Sequence, residues 1–204
     1  VKVRGDEIEF VKQAQERCLG IRVMVGGTGG LATAVTSTSD LAPDAVDRMA
    51  EETVALARAT APDPHAGLPE EEFARDLPDL GLADPGDRHV HIEARIEDAR
   101  RAEEAARAFD PRITNSEGSQ ASSDASRIVY ANSAGFVGEY DSAHHSLFCE
   151  PVARQGDSMQ RDYWLTVARR LADLEDAAQV GRRAAERALR RLGARRVPTG
   201  EVPV

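Results

Sequence analysis

The sequence is poor in cysteine and in long apolar runs, and both shortages narrow the class of protein. It has two cysteines in 204 residues, Cys18 and Cys149, which form no Cys-x-x-Cys pair and have no His-rich pattern beside them. This spacing argues against a redox centre or a cysteine-rich metal site and favours a reduced, cytoplasmic setting. No apolar run approaches the roughly 20 residues that a membrane-spanning helix needs. We therefore expect a cytoplasmic protein without a membrane partner.

Aromatic residues are also few, and the net charge of the chain is negative. Aromatics make up 4% of the chain, so its core must be built mainly from Ala, Val, Leu and Ile. The formal net charge is -9, which repels phosphate backbones and argues against a direct nucleic-acid partner. Against this balance, seven arginines lie between Arg182 and Arg196, opposed only by Glu186. That stretch is either a solvated helix face or a docking surface for an acidic partner.

The residue patterns predict an α+β fold with two largely antiparallel β-meanders and packed helices. The first meander is expected over residues 1–39, where alternating runs are separated by glycines. A proline- and acid-rich connector covers residues 62–88, and the second meander covers 112–170. Three helices are expected between and after these parts. They span 44–59 with Pro43 in the first turn, 91–108, and 177–192 with Asp176 as N-cap and Gly193 as stop.

One stretch inside the second meander, "RITNSEGSQASSDASRIVYANSAGFVGEY" over residues 112–140, reads as a loop because hydroxyl and small residues dominate its centre. The apolar ends of this stretch predict that 112–118 pairs with 127–133, with a turn at Ser133-Ala134-Gly135. The glycine cluster "GGTGG" at 26–30 lacks the Lys-Ser/Thr that follows a phosphate-binding loop, and it predicts a hairpin turn instead.

The histidines and serines form no convincing metal-binding or nucleophile pattern. His89 and His91 form one pair, and His144 and His145 precede Cys149 and Glu150, but neither group offers three zinc ligands at a dependable spacing. Asp141, Ser142 and His144 have the residue types of a catalytic triad. Adjacent residues of a strand point to opposite faces, however, so these three are expected to be surface residues.

Six ordered segments of the sequence carry a family resemblance. They are "GIRVMV…GLATAVTSTSDLAPDAV", "ATAPDPHAGLPE", "AFDPRITNSEGS", "YANSAGFVGEY", "GDSMQRDYWLTVARRLADLE" and "VGRRAAERALRRLGARRVPTGEVPV". Together they resemble the N-terminal domain of the TldD/PmbA family, described as modulators of DNA gyrase, and they are most similar to the PmbA branch. The resemblance implies a subunit of a zinc-dependent, dimeric peptidase system of the cytoplasm that acts in proteolysis and peptide maturation.

The resemblance also implies how the chain is organised. Residues 1–192 would form the N-terminal domain, and 193–204 an extended segment leading to a missing C-terminal domain, since the chain starts at Val1 and not at Met. In the TldD branch a His-Glu-x-x-x-His helix holds the zinc, and no His-Glu pair occurs here. We therefore expect no catalytic residue, metal ligand or cofactor in this chain and zinc in a catalytic partner subunit. The expected partners are a TldD-like subunit or a second copy, and extended peptides.

The residues expected to bind peptide backbone are Asn115, Ser116, Asn132, Ser133 and Gly135 of the hydroxyl-rich stretch. Two alternatives stay open: a polar hairpin without substrate, and a stand-alone serine hydrolase or acyl transferase that uses Ser116, Ser133 or Ser142. Changing Arg187 and Arg191 to Glu is expected to weaken the dimer of the full-length protein if the basic helix is an interface.

Overall fold

The computed structural model describes residues 1–5, 7–69, 73–196 and 198–201, without the side chains of Arg88 and His89. The strands are β1 (Lys2–Arg4), β2 (Glu7–Phe10), β3 (Leu19–Gly27), β4 (Gly30–Thr38), β5 (Ile113–Ala131), β6 (Val137–Gln155), β7 (Ser158–Arg161) and β8 (Trp164–Ala168). The α-helices are α1 (Pro43–Arg58), α2 (Ile92–Phe109) and α3 (Ala177–Arg190), with short 3-10 helices at Pro85–His89 and Leu171–Asp173. None of the helices in this described part is long and apolar enough to cross a membrane.

The chain divides into two compact units. The first contains Val1–Lys12, Leu77–Asn132 and Val137–Val204, and the second contains Gln13–Asp76 and Ser133–Phe136. The first unit therefore holds β1, β2, α2, α3 and the strands from β5 onward, whereas the second holds the β3–β4 hairpin and α1.

An antiparallel sheet of six strands forms the first unit, in the order β2-β1-β5-β6-β7, with β8 also paired to β6. Its centre is the hairpin of β5 and β6, strands of 19 residues each. β7 pairs with Val152–Gln155 of β6 and β8 pairs with His145–Cys149. Pro151 lies between these two stretches and has no N–H to donate, so the edge ladder is interrupted there.

Two alanine-rich helices cover one face of this sheet. The buried core joins residues of the sheet, among them Ala121, Leu147 and Cys149, to those of α2 and α3. Small side chains bring the helices close together, and Gly181 of α3 lies directly against the backbone of Ala102 in α2. The side chains of an alanine-rich core are small. Much of the van der Waals contact in this core therefore comes from backbones that approach each other closely.

The second unit is a two-stranded antiparallel sheet with one helix. β3 and β4 pair in register from Leu19↔Thr38 to Gly27↔Gly30. Helix α1 buries Ala45, Met49, Thr53 and Ala57 on one face, at the i, i+4 spacing of an amphipathic helix. The hydroxyl of the buried Thr53 bonds to the carbonyl of Met49 at 2.6 Å and shares a short bond with the Thr36 hydroxyl.

The predicted α+β class with antiparallel sheets is confirmed, and the three predicted helices are present within two residues of their predicted ends. Pro43 lies in the first turn of α1, and the Asp176 carboxylate caps α3 by accepting from the Gln179 N–H at 3.2 Å. The membership of the first meander was wrong, because β1 and β2 belong to the sheet of β5 and β6. Sequence alternation marks a strand but does not identify its partner.

The predicted pairing of 112–118 with 127–133 was also wrong. Both segments lie almost wholly in the single strand β5, which pairs with β6 from Ile113 to Ala131 with two register shifts near its start. The serines that suggest a loop make cross-strand contacts instead, such as the Ser122 and Ser146 hydroxyls at 2.8 Å. Short hydroxyl side chains fit a half-buried ladder when each finds a partner on the neighbouring strand.

Candidate functional site

The outer edge of β5 is open beyond Ala121. The N–H of Ala121 donates to the Val1 carbonyl at 3.0 Å, and β1 pairs with β5 only at Ser119 and Gln120. Backbone groups of a strand alternate in direction, so those of residues 123, 125, 127, 129 and 131 point the same way as those of Ala121. No backbone partner for these five residues occurs among the described parts of the chain. The edge is therefore a template on which a further strand could pair.

The distal half of the same hairpin exposes apolar side chains on both of its faces. Val129 is 60% exposed and Val137 is 69% exposed, and both belong to one face of the ribbon. Tyr130 and Tyr140, which belong to the opposite face, are 45% and 48% exposed. A two-stranded ribbon with apolar residues on both faces is marginally stable alone, so covering these side chains would stabilise this half of the hairpin.

A polar cluster lies on the helix-facing side of the hairpin, centred on His145. Its side chain has no accessible surface, its Nδ1 is 3.0 Å from the Ser123 hydroxyl, and its Nε2 is 3.5 Å from Asp87 Oδ2. The same Asp87 oxygen accepts the N–H of Leu171 at 2.8 Å. Arg95 is 8% exposed and forms an ion pair with Asp98.

The His145 ring is held neutral by its surroundings. Burial lowers the pKa of His145, and Arg95 and His144 lower it further, while Asp87 and Asp124 act in the opposite direction. Ser123, His145 and Asp87 are the three amino-acid types of a serine hydrolase triad. A catalytic ring must exchange a proton with a leaving group, however, and a ring without accessible surface has no room for one.

The stability of the fold should therefore depend on pH through His145. Because its folded pKa lies below the unfolded value of about 6.5, the unfolded chain takes up a proton first as the pH falls below that value. We expect the free energy of unfolding to fall as the pH drops below about 6.5, and the His145→Gln protein to lack this part of the slope. Urea unfolding at several pH values measures it. His65→Gln, which removes an exposed histidine elsewhere in the chain, should keep the slope. Equal slopes for parent and His145→Gln would contradict the assignment.

A second candidate region is a cleft of about 550 Å³ beside β7. Asn115, Met159, Tyr163 and Arg191 line it together with acidic and basic side chains. Arg161 lies 3.7 Å from Glu117 and 3.6 Å from Glu150, which spans the cleft with weak ion pairs. The carboxylates of the lining all lie in ion pairs with arginines, so the cleft has no strong preference for ligand charge.

Part of the basic α3 helix packs on the wall of this cleft. The Arg187 guanidinium donates to Asp162 at 3.2 Å and lies 5.9 Å and 5.7 Å from the ring centroids of Tyr163 and Trp164. Arg183 lies over Trp164 at 5.3 Å and donates to Glu175 at 2.8 Å. These two arginines therefore have intramolecular partners, which the arginines of a purely solvated helix face would lack.

The predicted peptide-binding residues lie at opposite ends of the hairpin. Asn115 lines the cleft and is exposed, whereas Ser116 is 3% exposed and its hydroxyl accepts from the Gly118 N–H at 2.8 Å. Asn132 is half-buried where β5 ends, and Ser133 and Gly135 are exposed in the turn. At about 3.3 Å per residue, Asn132 is roughly 50 Å from Ser116 along the strand, and the structure does not bring these two residues together. Their role in peptide binding stays a prediction.

The serines of the alternative hydrolase have other bonding partners. The Ser116 hydroxyl serves the turn at Gly118, and the Ser142 hydroxyl accepts from Arg169 Nη1 at 2.8 Å. The contact of Ser123 with His145 was missed from the sequence, because register across a hairpin brings these residues together and no local motif marks it.

The described residues do not fit a zinc centre. Across residues 1–5, 7–69, 73–196 and 198–201, no group of three or more His, Cys, Asp or Glu is placed to hold a metal ion. His144 is exposed and His145 is buried, as expected for adjacent strand residues, and the side chain of His89 lies outside the described part. Burial raises the pKa of Cys149 to about 12, which keeps it a thiol and unsuited to bind metal.

Comparison with protein families identifies the class of protein to which this fold belongs. Residues 85–192 match the family model of the PmbA/TldA metallopeptidase central domain, and residues 1–57 match PmbA/TldA metallopeptidase domain 1. The chain therefore belongs to the PmbA/TldD family, as the sequence resemblance predicted.

Individual relatives agree with this membership. The chain is 38% identical to metalloprotease PmbA of Escherichia coli O157:H7 and 36% identical to the PmbA homologue of Haemophilus influenzae, in each case over all of the chain. It spans 44% of the length of both proteins.

Solved structures share the fold. A crystallised candidate modulator of DNA gyrase from Bacteroides thetaiotaomicron has a TM-score of 0.83 and 26% identity, covering 96% of this chain and 44% of that one. TldE from Thermococcus kodakarensis has a TM-score of 0.64 at 18% identity, covering 78% of this chain and 35% of that one. At that identity the second likeness concerns the fold alone.

Proposed function

We propose that this chain is a non-catalytic, peptide-binding part of a PmbA/TldD-type metallopeptidase, and that an extended peptide adds as a strand to the open edge of β5. The observation that carries the proposal is the unpaired row of backbone groups from residue 123 to residue 131. Strand addition recognises the peptide backbone, so this mode suits a protein that handles many sequences.

The side chains along this edge are compatible with an incoming strand. Ser123, Ala125 and Ala131 are short, and they leave space beside the backbone groups that would pair. The exposed apolar residues of the distal hairpin would then be covered by the bound peptide or by the subunit that delivers it.

The family supports the rest of the proposal. Its relatives are named metalloproteases, while the described residues of this chain include no group of three or more His, Cys, Asp or Glu placed to hold a metal ion. We therefore assign zinc and the cleavage step to a partner subunit, a TldD-like protein or a second copy of the full-length protein, acting in the cytoplasm in proteolysis and peptide maturation.

Val129→Pro tests the open edge directly. Its N–H points outward, so proline removes one donor and places a ring where the incoming strand would lie, while the inner ladder to β6 stays intact. We expect about tenfold weaker binding of a fluorescent, unstructured peptide, measured by anisotropy, because a lost hydrogen bond and a steric clash together amount to about 1.4 kcal/mol or more.

Val129→Thr is the matched control, since it keeps the N–H and the branched shape. It should bind as the parent does. Circular dichroism checks that both variants are folded, and sedimentation checks whether the edge instead pairs with a second copy. Equal peptide affinity of the two variants would contradict the proposal.

A further inference from the structure

The open edge of β5 changes from polar to apolar along its length. Its first part, residues 123–127, consists of Ser, Asp, Ala, Ser and Arg, and its last part, residues 128–131, consists of Ile, Val, Tyr and Ala. The change follows the ion pair of Arg127 with Asp141 on β6, whose Nε and Oδ1 atoms are 2.9 Å apart. A strand added to this edge would therefore meet polar side chains at one end and apolar side chains at the other.

The apolar side chains of residues 128–131 lie on both faces of the ribbon. Ile128 and Tyr130 belong to one face, and Val129 and Ala131 belong to the other, because successive residues of a strand alternate. Ile128 is half-buried, and the other three residues are exposed. Strand β6 extends the first of these faces with Tyr140, which lies opposite Ile128.

Charged side chains do not interrupt this last part of the edge. The charged residue nearest to it on the neighbouring strand is Glu139, which lies opposite Val129 on β6. Neighbouring strands are about 4.8 Å apart, so Glu139 is one strand farther than Val129 from a strand that adds to β5. The side chains that border an added strand along residues 128–131 are thus all apolar or aromatic.

The two faces and the open edge together indicate what kind of partner covers this part of the ribbon. A flat protein surface packs against one face and leaves the other exposed. An added strand places alternate side chains on both faces, and its backbone pairs with the outward N–H and C=O groups of Val129 and Ala131. An extended peptide therefore covers both faces and the edge at once.

We infer that residues 128–131 select peptides that carry a short run of apolar residues, an inference that rests on the proposed strand addition. Each residue of such a run lies beside Ile128 or Tyr130 on one face, or beside Val129 or Ala131 on the other, as in the side-chain pairs of any sheet. Backbone pairing is the same for every sequence and every register. The apolar run therefore decides where along β5 the peptide binds, and the polar part of the peptide lies along residues 123–127.

Three dye-labelled peptides of equal length and without charged side chains test this preference. The block peptide has Val, Tyr, Val and Ile together at one end and Ser, Thr and Gln at the other, and it is made in both directions because an added strand can run either way. The alternating peptide has the same residues with apolar and polar ones in turn, and the polar peptide has Ser, Thr and Gln alone.

Anisotropy measures the binding of each peptide to the protein. We expect the better block peptide to bind about fivefold tighter than the polar peptide, because apolar cross-strand pairs add to the backbone bonds. The alternating peptide should bind more weakly than the block peptide, since it places only half of its apolar residues beside residues 128–131. An alternating peptide that binds as tightly as the block peptide would overturn the inference.

Two tyrosines on the same face of the ribbon give a matched pair of variants. Tyr130→Thr removes a ring beside the added strand, and Tyr140→Thr makes the same change one strand farther away, on β6. The two side chains are similarly exposed, at 45% and 48%. We expect Tyr130→Thr to lower the preference for the block peptide about twofold and Tyr140→Thr to retain it. Circular dichroism checks that both variants are folded. A loss with Tyr140→Thr alone, or an equal loss with both, would overturn the inference.

The register can be measured independently of these affinities. A nitroxide on the polar end of the block peptide should broaden the amide signals of Ser123 and Ala125 in an NMR spectrum and leave that of Ala131 sharp. Broadening of Ala131 instead, or of all three signals equally, would mean that the apolar run does not fix the position of the peptide, and it would overturn the inference.

The outcomes separate this inference from the proposed function. If the block, alternating and polar peptides bind equally and Val129→Pro weakens each of them, the preference is overturned and strand addition stands. If the block peptide binds most tightly but Val129→Pro binds it as the parent does, the peptide covers the side chains without pairing as a strand. In that case the proposed function and the inference both fail.

Discussion

Replacing Gly181 by alanine is expected to lower the free energy of unfolding by about 3 kcal/mol, at the upper end of what overpacking costs. A Cβ on this residue would collide with the carbonyl oxygen of Ala102 and lie 2.8 Å from its carbon and 3.0 Å from the Ala106 nitrogen. These are backbone atoms, so no rotamer change relieves the overlap, and α2 and α3 would have to separate.

The sign of the measured change is itself informative. In an exposed helix, alanine stabilises by about 1 kcal/mol over glycine, so helix propensity alone predicts the opposite result. Urea unfolding followed by circular dichroism decides between the two. Gln179→Ala, at an exposed position of the same helix, introduces the same residue and should change stability by less than about 0.5 kcal/mol. A stabilised Gly181→Ala protein would mean that the helices are further apart than described.

Arg187→Glu is expected to destabilise the protein by about 2 kcal/mol. The substitution removes the bonds to Asp162, whose side chain is 13% exposed, and the contacts with the Tyr163 and Trp164 rings. Burial tends to raise the pKa of Asp162, but bonds from the Tyr163 N–H and Arg187 outweigh this and lower it. A second carboxylate beside this one is therefore unfavourable.

This intramolecular role changes how the basic helix should be tested for dimer formation. The double change of Arg187 and Arg191 would weaken a dimer by disturbing the fold as well as the surface, because both arginines face Asp162. Arg182→Glu with Arg190→Glu alters the same charge at exposed positions. If the basic face is an interface, sedimentation of the full-length protein should show a weaker dimer for this pair at unchanged unfolding. If Arg187→Glu unfolds at the parent's urea midpoint, the packing role assigned to it is wrong.

Elements that depend on nearby residues could be predicted from the sequence, whereas contacts between distant residues could not. The helices were predictable because apolar spacing and caps such as Asp176 lie within the element itself. The partner of β1 was not, because it lies more than a hundred residues away at Ser119 and Gln120. Composition misled at Ser122 and Ser123, since serine is typical of loops and becomes a strand residue only when its cross-strand partner is known.

The candidate sites show the same difference between local features and distant contacts. Asn115 and Ser116 are adjacent in sequence, but only Asn115 lines a cleft, because successive strand residues point to opposite faces. The contact between Asp87 and His145 depends on a connector that carries no periodic signal. The resemblance to a family supplied the class of protein, whereas the contact of Ser123 with His145 required the register of the β5–β6 hairpin to be known.

The open edge of β5 also carries a hazard that the sequence counters. A long unpaired strand with apolar neighbours invites pairing with the same strand of other molecules and hence aggregation. Asp124 and Arg127 place opposite charges within this edge, and Glu139 lies opposite Val129 on β6. Such charges act as gatekeepers: two copies brought together in the wrong register bring like charges together, while a peptide that lacks them meets no such barrier. The residues that give this strand its polar appearance are thus what allow an exposed edge to persist in a crowded cell.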